Sequence, residues 1–272
     1  MQAEKPRKTF LPSLTSGLLV AIAIPLCAFA SHVFEIPFTV HVNIFELPNS
    51  SGMDTIYPYN VSFVANFIAM CVVLNMLFWL ACKMLLAKIP GKERLKTIIE
   101  LIAISVIITG TMGVVFHWSN DHANSLYQQQ YGYDMSNLYA YLYFNDEFVG
   151  HCLQESALIG YFAVLVVIEQ VSVAGGRRLS WTDLPWVAVI VGVMAVNDGY
   201  AALHSETAIW MLVASIIMLV AEFIYVMVRR IKLLMSPLLL ATILANAAVI
   251  VQNIVFLTTM VISPWYPYIR VH

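Results

Sequence analysis

The chain has 272 residues, 60% hydrophobic and only 11% charged, where an ordinary soluble domain carries about a quarter. So little charge cannot cover a folded surface in water. That excludes a soluble globular enzyme, a disordered protein, a nucleic-acid binder with a basic face and a disulfide-stapled secreted module. The net charge of −2 decides nothing alone, so the positions of the few charges carry the information.

In chain order the apolar residues form seven runs. Each is about 20 residues long, the length a helix needs to cross roughly 30 Å of hydrocarbon. The predicted helices are Leu14–Val33, Val61–Cys82, Thr97–Phe116, Glu147–Val173, Asp183–Ala202, Ala208–Val228 and Leu239–Val261. Pro25 lies inside the first, and a membrane helix tolerates it as a kink. Transmembrane β-strands would be about 10 residues long and alternating, a pattern not found here. The expectation is one all-α domain over 1–272, a polytopic seven-transmembrane-helix bundle in a plasma or inner membrane.

Thirteen of the fourteen Lys and Arg fall before helix 1 or between helices 2 and 3, 4 and 5, and 6 and 7. The fourteenth is Arg270 in the tail. By the positive-inside rule the N-terminus is cytoplasmic and the C-terminus outside. The basic start, apolar stretch and Ala28-Phe29-Ala30 also fit a cleavable signal peptide, which would leave helices 2 to 7 oriented the same way.

The first outer connection, Phe34–Asn60, is acidic and holds the formal glycosylation sequon Asn49-Ser-Ser, with Asn60-Val-Ser at its end. The second, His117–Asn145, is rich in tyrosine and reads as an aromatic belt, with Asn137–Phe144 an interfacial helical turn. On the inner side, Gly175-Gly176 breaks the chain after helix 4. Ser180-Trp-Thr-Asp183 resembles a capping box opening helix 5. Cys27, Cys71, Cys82 and Cys152 form no CxxC pair and read as small apolar fillers.

All seven histidines fall on the outer side: His32, His41, His117, His122, His151, His204 and His272. Helices 3, 4 and 5 bring histidine and carboxylate to similar depth. Ionisable groups at membrane depth are costly and face the bundle interior, so they are candidates for function. Glu147, His151 and Glu155 stand at i, i+4 and i+8, one stripe on helix 4. His117 and Asp121 share a face if helix 3 continues that far, with His122 one residue off. Asp198 and His204 are six apart and converge only if helix 5 ends near Ala202. Asp198 and His117 are the expected partners of the helix 4 stripe.

Imidazoles mixed with carboxylates suit a borderline metal, zinc first and copper or iron as alternatives. The predicted metal ligands are drawn from His117, Asp121, His122, Glu147, His151 and His204, with Glu155 or Asp198 activating water. Blander readings stay open. A histidine at a helix end often only meets the interface. Asp121 and Asp146 fit helix-terminus residues. A metal-free polar site or structural hydrogen bonds would also account for the cluster. Asn75, Asn246, Gln252 and Asn253 read as stitching between helices. Glu169 and Glu222 read as ion-paired with, or snorkelling toward, the nearby inner arginines.

Val115-Phe116-His117-Trp118 followed by Asp121 resembles the first half of the zinc-holding pattern of the alkaline ceramidase and progestin/adipoQ receptor group. Helix 7 lacks the two histidines of its second half. It also lacks the lysine a microbial rhodopsin needs. Glu147 and His151 repeat the carboxylate-to-His spacing of copper monooxygenase membrane subunits, without their surrounding residues. No family follows from these fragments.

Two functions fit. One is a metal-dependent membrane-embedded enzyme, a hydrolase or oxidoreductase, acting on a lipid or apolar small molecule at the outer leaflet. The other is a transporter, or a non-catalytic subunit working with other membrane subunits. Against transport, helices 2, 6 and 7 supply almost no acid at mid-depth. A nucleic-acid partner is not expected. The basic-residue split predicts that a reporter fused after Lys96 or Gly176 is cytoplasmic and one fused after Ser136 is outside. A cytoplasmic Ser136 fusion would overturn the orientation.

Overall fold

The computed structural model describes residues 12–33, 39–41, 58–60, 67–131, 137–172, 178–204 and 207–259. The basic N-terminal segment, the Asn49 sequon, the Gly175-Gly176 break, Arg270 and His272 lie outside the described residues. So do the side chains of His32, His41, His122 and His204.

Seven long helices make up most of the described residues. They are α1 (Pro12–Val33), α2 (Ala69–Leu86), α3 (Glu93–Tyr131), α4 (Asn137–Ser172), α5 (Leu184–His204), α6 (Ala208–Arg229) and α7 (Pro237–Thr259). Two contain a π-helical segment, Ala69–Leu74 at the start of α2 and Phe144–Gly150 within α4. Five helices, α2, α3, α4, α6 and α7, are long and apolar enough to cross a membrane. In α1 and α5 the apolar stretches are shorter, Pro12–Cys27 and Leu184–Gly199. A three-residue antiparallel ladder, β1 (Thr39–His41) with β2 (Pro58–Asn60), is the described part of the first connection.

The tyrosine-rich second connection differs most from expectation. It is largely helix. α3 continues through Asp121 to Tyr131, and 39 residues at 1.5 Å each make it about 58 Å long, well beyond a bilayer core. No Pro or Gly interrupts 117–131, so nothing local stops the helix until Gly132. The tyrosines gather where the α3 extension meets the start of α4. Tyr127 packs on Tyr131 and Tyr139 with ring centroids 5.0 and 6.3 Å apart, and Tyr139 stacks on Tyr143.

Sequence signals explain the ends. α7 begins with Pro237, whose missing N–H would be unpaired at that position anyway. The next two amides, Leu238 and Leu239, donate to the two carboxylate oxygens of Glu169 on α4, at 3.2 and 3.1 Å. Glu169 is therefore not snorkelling toward Arg177 and Arg178. It is fully buried and caps another helix, where the positive end of that helix favours an anion. Glu222 is likewise turned inward, accepting from Asn246 Nδ2 at 3.2 Å. Asp183 receives the Ser180 N–H and hydroxyl, both at 2.8 Å, the return arm of the predicted capping box.

The core lies among α1, α2, α4, α5 and α7, around Leu14, Phe78, Phe162, Leu165, Ile190 and Leu238. Apolar side chains also cover the outside, including Leu101 and Ile108 on α3 and Ile217, Ile224 and Met227 on α6. Such an exterior suits hydrocarbon rather than water. The polar stitching is real at Asn75. It donates to Cys71 O and Thr111 Oγ1 and accepts from Tyr161 OH at 2.6 Å, joining α2, α3 and α4. Cys27 and Cys82 are buried, and all four cysteines are free thiols.

α3 and α4 pack antiparallel through small residues, as helices do where lipid gives no hydrophobic drive. Val106 meets Gly160, Gly110 meets Ala157, Gly113 meets Gln154 and His117 meets Gly150. A Cβ on Gly150 would lie 2.7 Å from the His117 backbone nitrogen and 2.8 Å from its Cα. Backbone cannot yield as a side chain can. Gly150→Ala is expected to destabilise by about 1–3 kcal/mol. Gly192→Ala, with open space around its Cβ, is expected to be neutral or slightly stabilising. Thermal unfolding of the two variants in detergent checks the contrast.

Candidate functional site

The closeness of α3 and α4 at Gly150 places His117 beside the turns Phe144–Gly150 of α4. Those turns are π-helical, so each holds one residue more than an α-turn and shifts the phase of the side chains. Asp146 thereby points at α3. Its Oδ1 lies 2.6 Å from His117 Nδ1, and its side chain is 2% exposed. With Asp146 ionised, Nδ1–H donates and the Nε2 face of the ring is left for other chemistry.

His151 follows the π-segment directly. Its ring lies against that of His117, with centroids 4.2 Å apart and planes tilted by 54°. Glu147 stands four residues back, its Oε2 3.8 Å from His151 Nε2, ion-pair range but too long for a hydrogen bond. The site is thus two imidazoles in tilted contact, each with a carboxylate beside it. Both rings are about a fifth to a quarter exposed, so reagents can reach them. Asp121, exposed one turn along α3, adds its charge to the field at His117, Asp146 and Glu147.

The remaining predicted residues divide. Glu155 is one turn below His151 and buried, and its Oε1 accepts from Thr207 Oγ1 at 2.6 Å, tying α4 to the start of α6. Asp198 is buried on α5, and its hydrogen bond comes from the neighbouring Asn197 at 3.2 Å. Of the two partners expected for the helix 4 stripe, His117 meets it, at His151, while the hydrogen bond at Asp198 comes from Asn197. His122 continues α3 and His204 ends α5, with side chains outside the described set.

Asp146 is the residue of this cluster that sequence spacing misses. Read on an α-helical wheel it falls off the Glu147–His151–Glu155 stripe, and it looks like a helix terminus. The available signal was the lack of a breaker before Gly132, since α3 continued to Tyr131 and lying antiparallel to α4 brings 117 opposite 150.

Among the described residues no three His, Cys, Asp or Glu side chains are grouped to hold a metal ion. Comparison with family models, characterised proteins and solved structures finds no match to this chain.

The Glu155–Thr207 bond gives a stability prediction. Glu155→Gln keeps a carbonyl oxygen to accept the Thr207 hydroxyl and is expected to unfold near the wild-type temperature. Glu155→Leu removes the acceptor of that buried hydroxyl and is expected to cost about 1–3 kcal/mol. Equal unfolding temperatures for the two variants would mean that the bond carries no stability.

Proposed function

We propose that this chain is a multi-pass integral membrane protein whose functional centre is the His117–His151 pair. We read the pair as the core of a transition-metal site, zinc by preference, in a membrane-embedded enzyme. The supporting observation is that the two rings meet and each is backed by a carboxylate, Asp146 or Glu147. A carboxylate hydrogen-bonded to an imidazole, as Asp146 is to His117, fixes its tautomer and raises its basicity, which is how metal-binding histidines are usually held. Copper or iron would suit the same donors. His122 and His204 are the candidates to complete the set, with Asp121 close by.

In such a site the metal would act as a Lewis acid toward a bound oxygen or water. Glu155, one turn below, is the group placed to position or deprotonate that water. Asp198 serves the same role only if it reaches the site from α5. The site is walled by apolar helices, so the substrate class is a lipid or apolar small molecule entering from the bilayer.

A second reading has its own support. His117 Nδ1 is already occupied by Asp146, and the described residues offer no three-ligand group. A metal-free pair of histidine–carboxylate couples would exchange protons, as a proton-coupled transporter requires; a non-catalytic subunit would use the same bonds for structure alone.

Elemental analysis separates the two. The metal reading expects close to one tightly held transition metal per chain in detergent-purified protein. It also expects His151→Ala to remove metal and activity together, while His41→Ala changes neither. Even changes behind the ligands typically cost about 10–100-fold in affinity. Wild-type protein that is metal-free after purification in metal-replete, chelator-free buffer would leave the proton-exchanging reading.

A further inference from the structure

The register of α3 against α4 does not stop at the histidines. Val106 meets Gly160, Gly110 meets Ala157, Gly113 meets Gln154 and His117 meets Gly150, so each step up α3 is a step back along α4. Farther out, Tyr127 meets Tyr139 in the same register, with ring centroids 6.3 Å apart. Between these contacts Asp121 falls opposite Asn145 and Asp146, and Asn124 falls opposite Leu142 and Tyr143. Asn124 is seven residues past His117, on the same face and about 10 Å farther along the axis. From Glu93 to His117 the helix has already run about 36 Å, more than the hydrocarbon is thick. Asp121 and Asn124 therefore stand at the depth of lipid headgroups.

Two observations set this level apart. The first is charge. Residues 97–176 contain no Lys or Arg. Asp121, Asp146 and Glu147 lie close enough together for their charges to act on His117, and the ion-pair contacts of Asp146 and Glu147 are with histidine. The second is Asn124 itself. It is 6% exposed, and its side-chain oxygen is buried with no hydrogen-bond partner among the described residues. An unmet buried acceptor costs stability, so that oxygen does nothing for the fold as it stands. Its face and its burial turn it toward α4, between the acids one turn inward and the tyrosines one turn outward.

The chemistry of the level selects an occupant. An acceptor beside carboxylates, with no base nearby, repels phosphate and carboxylate and attracts a cation that donates hydrogen bonds. A metal cation needs several oxygens at one point, and no three His, Cys, Asp or Glu side chains are so gathered among the described residues. A primary ammonium carries three N–H donors and takes single acceptors from separate turns. A trimethylated ammonium has no N–H to give, and an oxygen closed off from bulk water favours the smaller group. The tyrosine layer adds ring faces that attract a cation, with Tyr127 against Tyr131 and Tyr139 against Tyr143 at 5.0 and 6.0 Å.

We propose that the outer part of the α3–α4 pair binds a primary ammonium group, carried by an aminolipid headgroup or by a free amine. Asn124 Oδ1 accepts one N–H, and the carboxylates of Asp121, Asp146 and Glu147 balance the charge. The site adjoins the histidine pair and rests on the lipid-substrate reading only for the lipid source; it needs no metal.

The test is calorimetric titration of the detergent-purified full chain with two pairs of probes. One pair is ethanolamine and choline; the other is dihexanoyl phosphatidylethanolamine and dihexanoyl phosphatidylcholine. The primary ammonium member is expected to bind saturably and at least about tenfold tighter than its trimethylated counterpart, the scale of a hydrogen bond to a charged donor. Discrimination in the free pair as well as the lipid pair makes a free amine sufficient; discrimination in the lipid pair alone makes the source the bilayer. Either supports the site. Asn124→Leu is expected to erase the discrimination, and Asn124→Asp, which keeps an acceptor, to retain it. Equal binding of both members of each pair, or no saturable binding, overturns the proposal without any variant. So does an Asn124→Leu protein that discriminates as wild type does. Calcium chloride that binds tighter than either amine would make this a metal-cation site instead. Transition-metal content is measured on the same samples and is expected to be the same in Asn124→Leu as in wild type. Loss of metal in that variant would make Asn124 part of the metal site and overturn the headgroup role, whereas a metal-free wild type that still discriminates would sink the metal reading alone.

Discussion

The close approach of α3 to α4 at Gly150 is the contact on which the site depends. A glycine there lets the α4 backbone lie against the His117 backbone with no side chain between. The register then follows down both helices, through Gly113 and Gly110 on one and Gly160 on the other. In lipid the apolar faces gain little from hiding, because the solvent is as apolar as they are, so close packing has to hold the pair. The same closeness brings Asp146 within 2.6 Å of His117. A wider separation would remove the packing and the histidine–carboxylate bond together.

Buried carboxylates set the other constraint. Glu155, Glu169, Glu222 and Asp198 all lie within the bundle, each with a named hydrogen-bond donor from another residue. For Glu155, Glu169 and Glu222 the donor sits on a different helix or at its start, so the acids also fix which helices are neighbours. Glu169 is the clearest case. It binds amides that α7 must leave unpaired, so one side chain satisfies two obligatory donors and locks α4 to α7. In hydrocarbon no water would do this instead.

The seven helices were legible because hydrocarbon thickness imposes a length that apolar runs record directly. Their ends at the tyrosine-rich connection were not. The α3 extension from His117 to Tyr131 is polar, so hydropathy is silent about it, and only the lack of a breaker before Gly132 hints at helix. At the site, His117, Glu147 and His151 were readable as ionisable groups at one depth, but their pairing was not. Spacing offered Asp121 to His117 because i, i+4 is the only pairing a single helix can show. The true partner, Asp146, comes from the next helix and from a turn with an extra residue. Glu169 was misread for a related reason. Its partners are backbone amides on a distant helix, which no side-chain pattern records, although Ser236-Pro237 does mark a helix start with free N–H groups.

The two π-segments follow one logic. A π-turn breaks the i to i−4 ladder and loosens carbonyls, a defect that is expensive where lipid offers no donor. Each segment therefore has to return something polar. In α2 the carbonyl of Cys71, inside the π-segment, is bonded by Asn75 Nδ2 at 2.9 Å, so the residue that follows the defect repairs it. The same Asn75 then uses its other groups to hold Thr111 and Tyr161. In α4 the residue that follows the π-segment is His151, and the gain of the segment is the placement of Asp146 against His117. The first widening is compensated within its own helix and serves packing. The second is compensated across the helix pair and serves the histidines, which is why the polar centre of the molecule sits at the second.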